Sequence, residues 1–182
     1  MLVSPATFMV DDAWFYLQIG RNLALGLGST FDGETLTNGY HPLWQGLVAL
    51  LGLVSTDRTW MLYSAVVLQI GAVVTALGLF YAHAIRRGAP YPIALPTALL
   101  LSQYTDKGWL SEGPLTALLL AAVLSTQGFA SGLLLGLLFL ARLDTVFFVG
   151  ALLLLRRCPK TAAGAALVAV PWVLWTLATT GH

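Results

Sequence analysis

Long stretches without charged residues dominate this chain of 182 residues and indicate where helices can cross a membrane. No Asp, Glu, Lys or Arg occurs in four stretches, residues 59–85, 88–105, 113–141 and 161–182. A helix that spans a membrane needs about 20 mainly apolar residues. The first and the last of these stretches meet that length, and Pro171 predicts a kink in the last one.

The remaining apolar segments are shorter, and two of them are expected to form a hairpin. The segment 109–141, of about 33 residues, is too long for one helix lying straight across a bilayer core of about 30 Å, and Thr126–Gly128 interrupts it. It therefore predicts two short antiparallel helices, which implies local thinning of the bilayer or extension into the headgroups. The predicted spans cover about residues 60–85, 89–105, 113–126, 128–141, 143–155 and 161–180.

Basic residues at the ends of these segments predict the orientation of the helices. Arg86–Arg87 and Arg156–Arg157 with Lys160 should lie in the cytoplasm, because cytoplasmic loops are enriched in Lys and Arg. Counting spans from either group places residues 1–59 on the extracytoplasmic side. The same side receives the charged residues of the later loops, Glu112, Arg142 and Asp144.

An apolar segment at 42–55 leaves one alternative open. Its length of about 14 residues suits an interfacial or re-entrant helix better than a span. If this segment did cross the membrane, the orientation of every later helix would invert. We adopt the in-plane interpretation.

The segment before it combines a short helix with turns. Residues 11–25 predict an amphipathic helix, in which Asp11 can accept hydrogen bonds from the free N–H groups of the first turn. The residues GLGS at 26–29 end that helix. The residues TNGYHP at 37–42 form a turn that places Pro42 at the first position of the next helix.

The amino-acid composition of the chain indicates a membrane protein. Hydrophobic residues make up 58% of the chain and charged residues 9%, whereas a soluble domain carries about 25% charged residues. We therefore predict an all-α fold, a polytopic transmembrane helix bundle over 60–182 that follows an extracytoplasmic loop over 1–59 with juxtamembrane helices. The net charge of +1 provides no field that would attract nucleic acid, and the single cysteine, Cys158, cannot form an internal disulfide.

Two adjacent acids, Asp11 and Asp12, are the first candidates for chemistry. One carboxylate could act as a general base toward an acceptor hydroxyl. Either could bind a divalent cation, Mg²⁺, Mn²⁺ or Ca²⁺, that holds a phosphate. A helix cap followed by a solvated acid explains the pair equally well. His41 could bind a phosphate or transfer a proton, and a hydrogen-bonded loop histidine is the alternative.

Further charges flank the later apolar segments. Glu112 directly precedes the apolar stretch 113–141 and is either functional or a plain charge at a helix start. Arg142 and Asp144 lie on either side of Leu143, between two apolar segments. Charges in such a place are costly unless they pair or line a cavity, which favours a buried pair or a functional role.

Three segments carry a family resemblance. Residues 11–44 read DDAWFYLQIGRNLALGLGSTFDGETLTNGYHPLW. This segment resembles the first extracytoplasmic loop of the glycosyltransferase C superfamily, polytopic enzymes that take sugars from polyprenyl-phosphate carriers. The segment GWLSEGPL resembles the family's N-G-M-E-T-x-L segment and places Glu112 on its acid. The segment ARLDTVFF is similar to the family's [AT]-R-x-D segment and places Arg142 and Asp144 there.

The resemblance implies a multi-pass enzyme of the inner (plasma) membrane whose active face is extracytoplasmic. A hydroxyl of a glycan or protein acceptor would attack the anomeric carbon of the lipid-linked donor with inversion, and polyprenyl phosphate would leave. Asp11 or Asp12 would be the catalytic base or a metal ligand. The implied substrate-binding residues are Arg21, Asn38, His41, Glu112, Arg142 and Asp144.

The chain also departs from the family pattern. Family members usually have a spanning helix before the DD motif and continue for several hundred residues, whereas ten residues precede Asp11 here. We therefore expect an N-terminal module, which a partner chain with the missing helices would complete, or a truncated, non-catalytic fragment. A polyprenyl-lipid carrier or transporter subunit is a further alternative, although no inverted repeat of the transporter kind is visible.

Overall fold

The computed structural model describes residues 11–88 and 110–180. These two ranges contain seven α-helices and one short 3-10 turn, and their only β-type pairing is an isolated bridge between Thr30 and Leu36. The elements are α1 (Asp11–Ala24), α2 (Pro42–Val54), α3 (Arg58–Arg86), α4 (Gly113–Ser125), α5 (Gly128–Ala141), the 3-10 turn (Leu143–Thr145), α6 (Val146–Arg156) and α7 (Pro159–Thr180). The predicted all-α class is confirmed.

Two of the described helices, α3 and α7, are long and apolar enough to cross a membrane by length and composition. Helix α3 contains 29 residues, which corresponds to about 43 Å at 1.5 Å per residue. Helices α2, α4 and α5 are apolar but have only 13, 13 and 14 residues. They reach about 20 Å, less than a hydrocarbon core of about 30 Å. The predicted span 89–105 lies outside the described residues.

The break between α5 and α6 differs from the predicted helix over 143–155. The chain first makes the 3-10 turn, and α6 begins only at Val146. The hydroxyl of Thr145 donates to the carbonyl oxygens of Leu138 at 3.2 Å and Arg142 at 2.7 Å. Because the last carbonyls of a helix lack partners within it, this hydroxyl stabilises the break at which Arg142 leaves α5.

Helix α3 begins at a side-chain cap. The Oδ1 atom of Asp57 accepts a hydrogen bond from the backbone N–H of Trp60 at 2.8 Å, which satisfies one of the free donors of the first turn. The helix therefore starts at Arg58, two residues before the predicted span. It continues without interruption to Arg86, where Gly88 follows with φ 70° and provides the left-handed conformation common at helix ends.

Helices α1, α2 and α3 share one apolar core, in which Trp44, Val48 and Met61 are at most 2% exposed. Helices α1 and α2 approach closely because glycines face each other across their contact. A Cβ on Gly20 would lie 2.7 Å from the Cγ1 of Val48, and one on Gly52 would lie 2.9 Å from the Cβ of Ala24. The close contact fixes how α1 is oriented, and thereby which of its side chains face each neighbouring cavity.

Helices α4 to α7 form a second core around Leu135, Leu138 and Val123. Within it, α5 and α7 approach closely, since a Cβ on Gly132 would collide with the carbonyl of Thr161 and one on Gly164 would lie 2.5 Å from the carbonyl oxygen of Phe129. Small residues at such contacts allow helix backbones to pack closely. The two cores meet at Leu115, which packs against both.

Arg156, predicted as a charge at the cytoplasmic membrane edge, has a structural role. Its guanidinium donates to the carbonyl oxygens of Val123 at 3.0 Å and Thr126 at 3.5 Å, and to the hydroxyl of Ser131. It therefore covers the C-terminal end of α4, where unpaired carbonyls carry partial negative charge. This contact ties α6 to the α4–α5 hairpin.

Candidate functional site

The loop between α1 and α2 is held by side chains of α1 and by its own hydroxyls. The amide Nδ2 of Asn22, which is 3% exposed, donates to the carbonyl oxygens of Thr30 at 2.9 Å and Phe31 at 3.2 Å. The hydroxyl of Ser29 donates to the carbonyl of Thr37 at 2.6 Å and is hydrogen-bonded to the hydroxyl of Tyr40 at 2.7 Å. These contacts bring the end of the loop back over α1.

Asp32 stabilises the loop between α1 and α2 through hydrogen bonds to the backbone. Its Oδ1 accepts from the backbone N–H groups of Glu34 at 2.9 Å and Thr35 at 2.8 Å. These backbone donors, Thr35 first, lower the pKa of Asp32 to about 2. The carboxylate thereby stabilises a turn in the segment FDGE at residues 31–34.

His41 connects three segments of the chain. Its backbone N–H donates to the hydroxyl of Tyr16 at 3.2 Å, and its ring Nδ1 accepts from the backbone N–H of Leu143 at 3.3 Å. A neutral imidazole that accepts at Nδ1 carries its proton on Nε2. That Nε2 faces the Oε1 of Glu112 at 3.6 Å.

The backbone in front of Glu112 is held by two buried polar side chains. The Oε1 of Gln69 accepts from the N–H of Leu110 at 2.8 Å, and its Nε2 donates to the carbonyl of Ser111 at 2.6 Å. The indole N–H of Trp44 donates to the carbonyl of Leu110 at 3.0 Å. Leu110 has φ 65°, a left-handed conformation that costs about 1–3 kcal/mol for a residue other than glycine, so these hydrogen bonds hold the chain in an unfavourable turn.

Arg142 joins the site through ion pairs. Its Nη1 lies 3.6 Å from the Oε1 of Glu112, and its Nε donates to Asp144 Oδ1 at 3.0 Å. The hydrogen bond with Asp144 is the main reason why the pKa of Arg142 is raised. The Glu112 side chain is 12% exposed and that of Asp144 is 62% exposed. Glu112 is therefore the enclosed carboxylate, and Asp144 orients the arginine from the solvent side.

These groups surround a cavity of about 290 Å³, which we call the carboxylate cavity. Its wall is formed by Asp12, Tyr16, Asn38, Tyr40, His41 and Glu112, completed by Phe15, Gly39 and Leu143. Burial raises the pKa of Tyr16 to about 12, and the nearby charges of Glu112 and Asp12 add to the effect. The Tyr16 hydroxyl therefore stays protonated at neutral pH and can donate a hydrogen bond into the cavity.

The structure brings together most, but not all, of the residues singled out from the sequence. Asp12, Asn38, His41 and Glu112 line the carboxylate cavity, and Arg142 with Asp144 adjoins it through ion pairs. Asp11 is exposed and does not line it. Arg21 lines a different cavity, and its Nε donates to the carbonyl of Thr56 at 2.9 Å.

Sequence reasoning missed Tyr16 and Gln69. Tyr16 belongs to the aromatic stretch after DDA, but nothing in that stretch distinguishes it from Phe15 or Trp14. Gln69 did carry a signal, because it is an amide in the middle of the uncharged stretch 59–85. A polar side chain within an apolar helix needs a partner, and here the partners are the backbone atoms that precede Glu112.

Among the described residues, no group of three or more His, Cys, Asp or Glu side chains could hold a metal ion. Asp11 and Asp12, proposed as metal ligands, diverge, since only Asp12 borders the carboxylate cavity.

No protein-family model matches the chain, and no curated protein and no solved structure matches it.

Proposed function

We propose that this chain is a multi-pass membrane glycosyltransferase, or the N-terminal module of one, that transfers a sugar from a polyprenyl-phosphate donor to an acceptor hydroxyl with inversion. One observation carries the proposal: Asp12, His41 and Glu112 border one cavity although they come from three separate segments. The sequence resemblance of these segments to the glycosyltransferase C superfamily supports the class of reaction.

Asp12 is the general base in this proposal. It is exposed, it borders the cavity, and it belongs to none of the ion pairs among the described residues. Its carboxylate takes the proton of the acceptor hydroxyl as the acceptor oxygen attacks the anomeric carbon. The bond from that carbon to the phosphate oxygen breaks, and its electron pair leaves with the polyprenyl phosphate.

The charge that develops on the leaving phosphate needs cationic or N–H donors nearby. Arg142 and the protonated Nε2 of His41 both face Glu112 at the edge of the cavity. In the proposal Glu112 holds these two donors in place, so that they can turn toward a phosphate as it enters. The neutral hydroxyl of Tyr16 and the amide of Asn38 remain available for the hydroxyls of the sugar.

The proposal places the cavity on the extracytoplasmic face of the inner membrane. The loops that form it follow or precede apolar helices, including the candidate span α3. A cysteine in place of the exposed Glu34 should react with an impermeant thiol reagent added from outside. The native Cys158 should react only after the membrane is permeabilised. A hydrogen bond with Thr161 lowers the pKa of Cys158, which favours the reactive thiolate. The reverse labelling pattern would contradict the orientation.

A transfer assay tests the proposed reaction. The protein in lipid nanodiscs would be offered polyprenyl-phosphate-linked pentoses and hexoses with glycan and peptide acceptors. Glu112→Gln keeps the shape of the side chain but removes the charge that holds Arg142, so transfer should fall by about 10²-fold or more. Glu34→Gln removes an exposed acid outside the cavity and should leave transfer within about twofold. Donor binding by the wild type without transfer to any acceptor would refute the reaction and favour a lipid carrier.

A further inference from the structure

A second cavity lies against the other side of α1. It measures about 310 Å³, and its wall includes Arg21 and Arg58 together with Trp14, Leu17, Phe31 and Met61. Within the described part of the chain, no carboxylate lines it. We call it the arginine cavity. The two cavities flanking α1 therefore differ in charge, since the carboxylate cavity contains Asp12 and Glu112.

Both arginines have cationic groups available for a ligand. Among the described residues, the ion pairs involve neither Arg21 nor Arg58. The Nε of Arg21 donates to the carbonyl of Thr56 at 2.9 Å, which anchors the side chain and leaves the two Nη groups for another acceptor. Asp57, the acid next to Arg58 in the chain, is engaged in capping the N–H of Trp60 at 2.8 Å.

The arginine cavity lies at the N-terminal end of α3, which is a candidate membrane span. Arg58 is the first residue of α3, one of the two helices long and apolar enough to span, so its guanidinium lies where that helix would leave the hydrocarbon. Trp14 and Phe31 are 44% and 49% exposed. Exposed aromatic rings together with basic side chains are typical of the membrane–water interface.

We propose that the arginine cavity binds the phosphate of an anionic membrane lipid, with Arg21 and Arg58 as its donors. Two guanidinium groups can bind the oxygens of one phosphate by paired, charge-assisted hydrogen bonds. The apolar wall of Leu17 and Met61 contacts the first carbons of the lipid chain. The proposal does not depend on sugar transfer, because it rests on residues that the carboxylate cavity does not use.

A structural link joins this site to the carboxylate cavity. The rings of Phe15 and Phe31 stack with centroids 5.2 Å apart and an interplanar angle of 15°. Phe15 lines the carboxylate cavity and Phe31 lines the arginine cavity. A lipid bound at the arginines would therefore contact the partition between the two cavities.

Lipid retention measured by native mass spectrometry tests the proposal. The whole chain in detergent would be titrated with phosphatidylglycerol, polyprenyl monophosphate, phosphatidylcholine and inorganic phosphate, each in a separate series. The double variant Arg21→Gln/Arg58→Gln should weaken binding of an anionic lipid at least about tenfold, because each basic residue near a membrane surface adds to lipid affinity. Phosphatidylcholine retention should not change. The variant Arg21→Lys/Arg58→Lys keeps the charge and should recover part of the affinity, which separates lost binding from misfolding.

Arg87→Gln is the matched control, since it removes an exposed arginine just after the other end of α3. An equal loss in this control would mean general electrostatic attraction and would overturn the site. Unchanged lipid binding in the double glutamine variant, or binding of inorganic phosphate alone, would also overturn it. A loss confined to polyprenyl monophosphate would assign the site to the carrier lipid, and a loss for phosphatidylglycerol as well would assign it to anionic lipids in general.

Discussion

The ring Nδ1 of His41 accepts a hydrogen bond from the backbone N–H of Leu143 at 3.3 Å, although the two residues are 102 positions apart in the chain. This bond directs the opposite ring nitrogen, Nε2, toward Glu112 at 3.6 Å. It also joins the start of α2 to the 3-10 turn between α5 and α6. One imidazole thus sets the position of a donor in the carboxylate cavity and connects the two halves of the structure.

Two substitutions should separate these roles of His41. In His41→Asn the side-chain oxygen can replace Nδ1 as the acceptor for Leu143, but nothing replaces Nε2. His41→Phe removes both atoms. We expect the free energy of unfolding to fall by about 1 kcal/mol in the Phe variant, the usual contribution of one hydrogen bond, and by less in the Asn variant, whereas sugar transfer falls in both. Unfolding by sodium dodecyl sulfate in mixed micelles measures the first quantity. Equal stability of the two variants would contradict the Leu143 bond.

The hydrogen bonds of Gln69 should stabilise the backbone turn before Glu112. Gln69→Leu leaves the buried N–H of Leu110 without its acceptor, which costs about 1–3 kcal/mol of unfolding free energy. Thr75→Val, on the exposed side of the same helix, removes only a bond to the carbonyl of Gly71 and should change stability by less than about 0.5 kcal/mol. The same denaturation experiment compares the two variants, and equal effects would count against the proposed support of the turn.

The close contact of α5 and α7 predicts a large difference between two glycines. A methyl group on Gly132 would meet the carbonyl of Thr161, whereas one on Gly150 in α6 would meet nothing within 4 Å. Gly132→Ala should therefore lower stability by about 1–3 kcal/mol through overpacking. Gly150→Ala should be neutral or stabilising, because alanine is the better helix former. Melting temperatures in detergent measure this difference in stability. Similar melting temperatures of both variants would contradict the close contact of α5 and α7.

Tyr16 gives the protein a stability change at alkaline pH. Burial raises its pKa from 10 to about 12, so the folded state keeps the phenol protonated where the unfolded chain already loses the proton. This contribution is complete below pH 10 and is lost as the pH rises toward 12. The wild type should therefore lose stability relative to Tyr16→Phe over that interval. A constant difference between the two proteins from neutral pH upward would show that the hydroxyl titrates normally.

The helices could be predicted largely from sequence because charged residues and turn formers bound each apolar run. Helix α4 ends one residue before its predicted limit, and α5 has the predicted bounds. The predicted helix over 143–155 starts later in the structure because the hydroxyl of Thr145 satisfies the end of α5. That hydrogen bond depends on a rotamer, which an apolar pattern does not reveal.

The site was less predictable, because its details depend on how the helices pack. Asp11 and Asp12 are adjacent, and successive side chains on an α-helix point about 100° apart. Only the packing of α1 against α2 decides that Asp12 borders the cavity. A role for Arg58 could not be predicted from the sequence, since a single arginine before an apolar segment is common. Its closeness to Arg21 follows from α1 and α3 packing together.

The most direct test of the central claim compares two neighbouring carboxylates. Asp11→Asn and Asp12→Asn change the same functional group one position apart in the first turn of α1, but only Asp12 borders the carboxylate cavity. The rate of sugar transfer from a polyprenyl-phosphate donor should fall by about 10²–10⁴-fold in Asp12→Asn, the usual contribution of a general base, and should stay within a few-fold of wild type in Asp11→Asn. Equal rates in the wild type and both variants would contradict the claim that this cavity is the catalytic site.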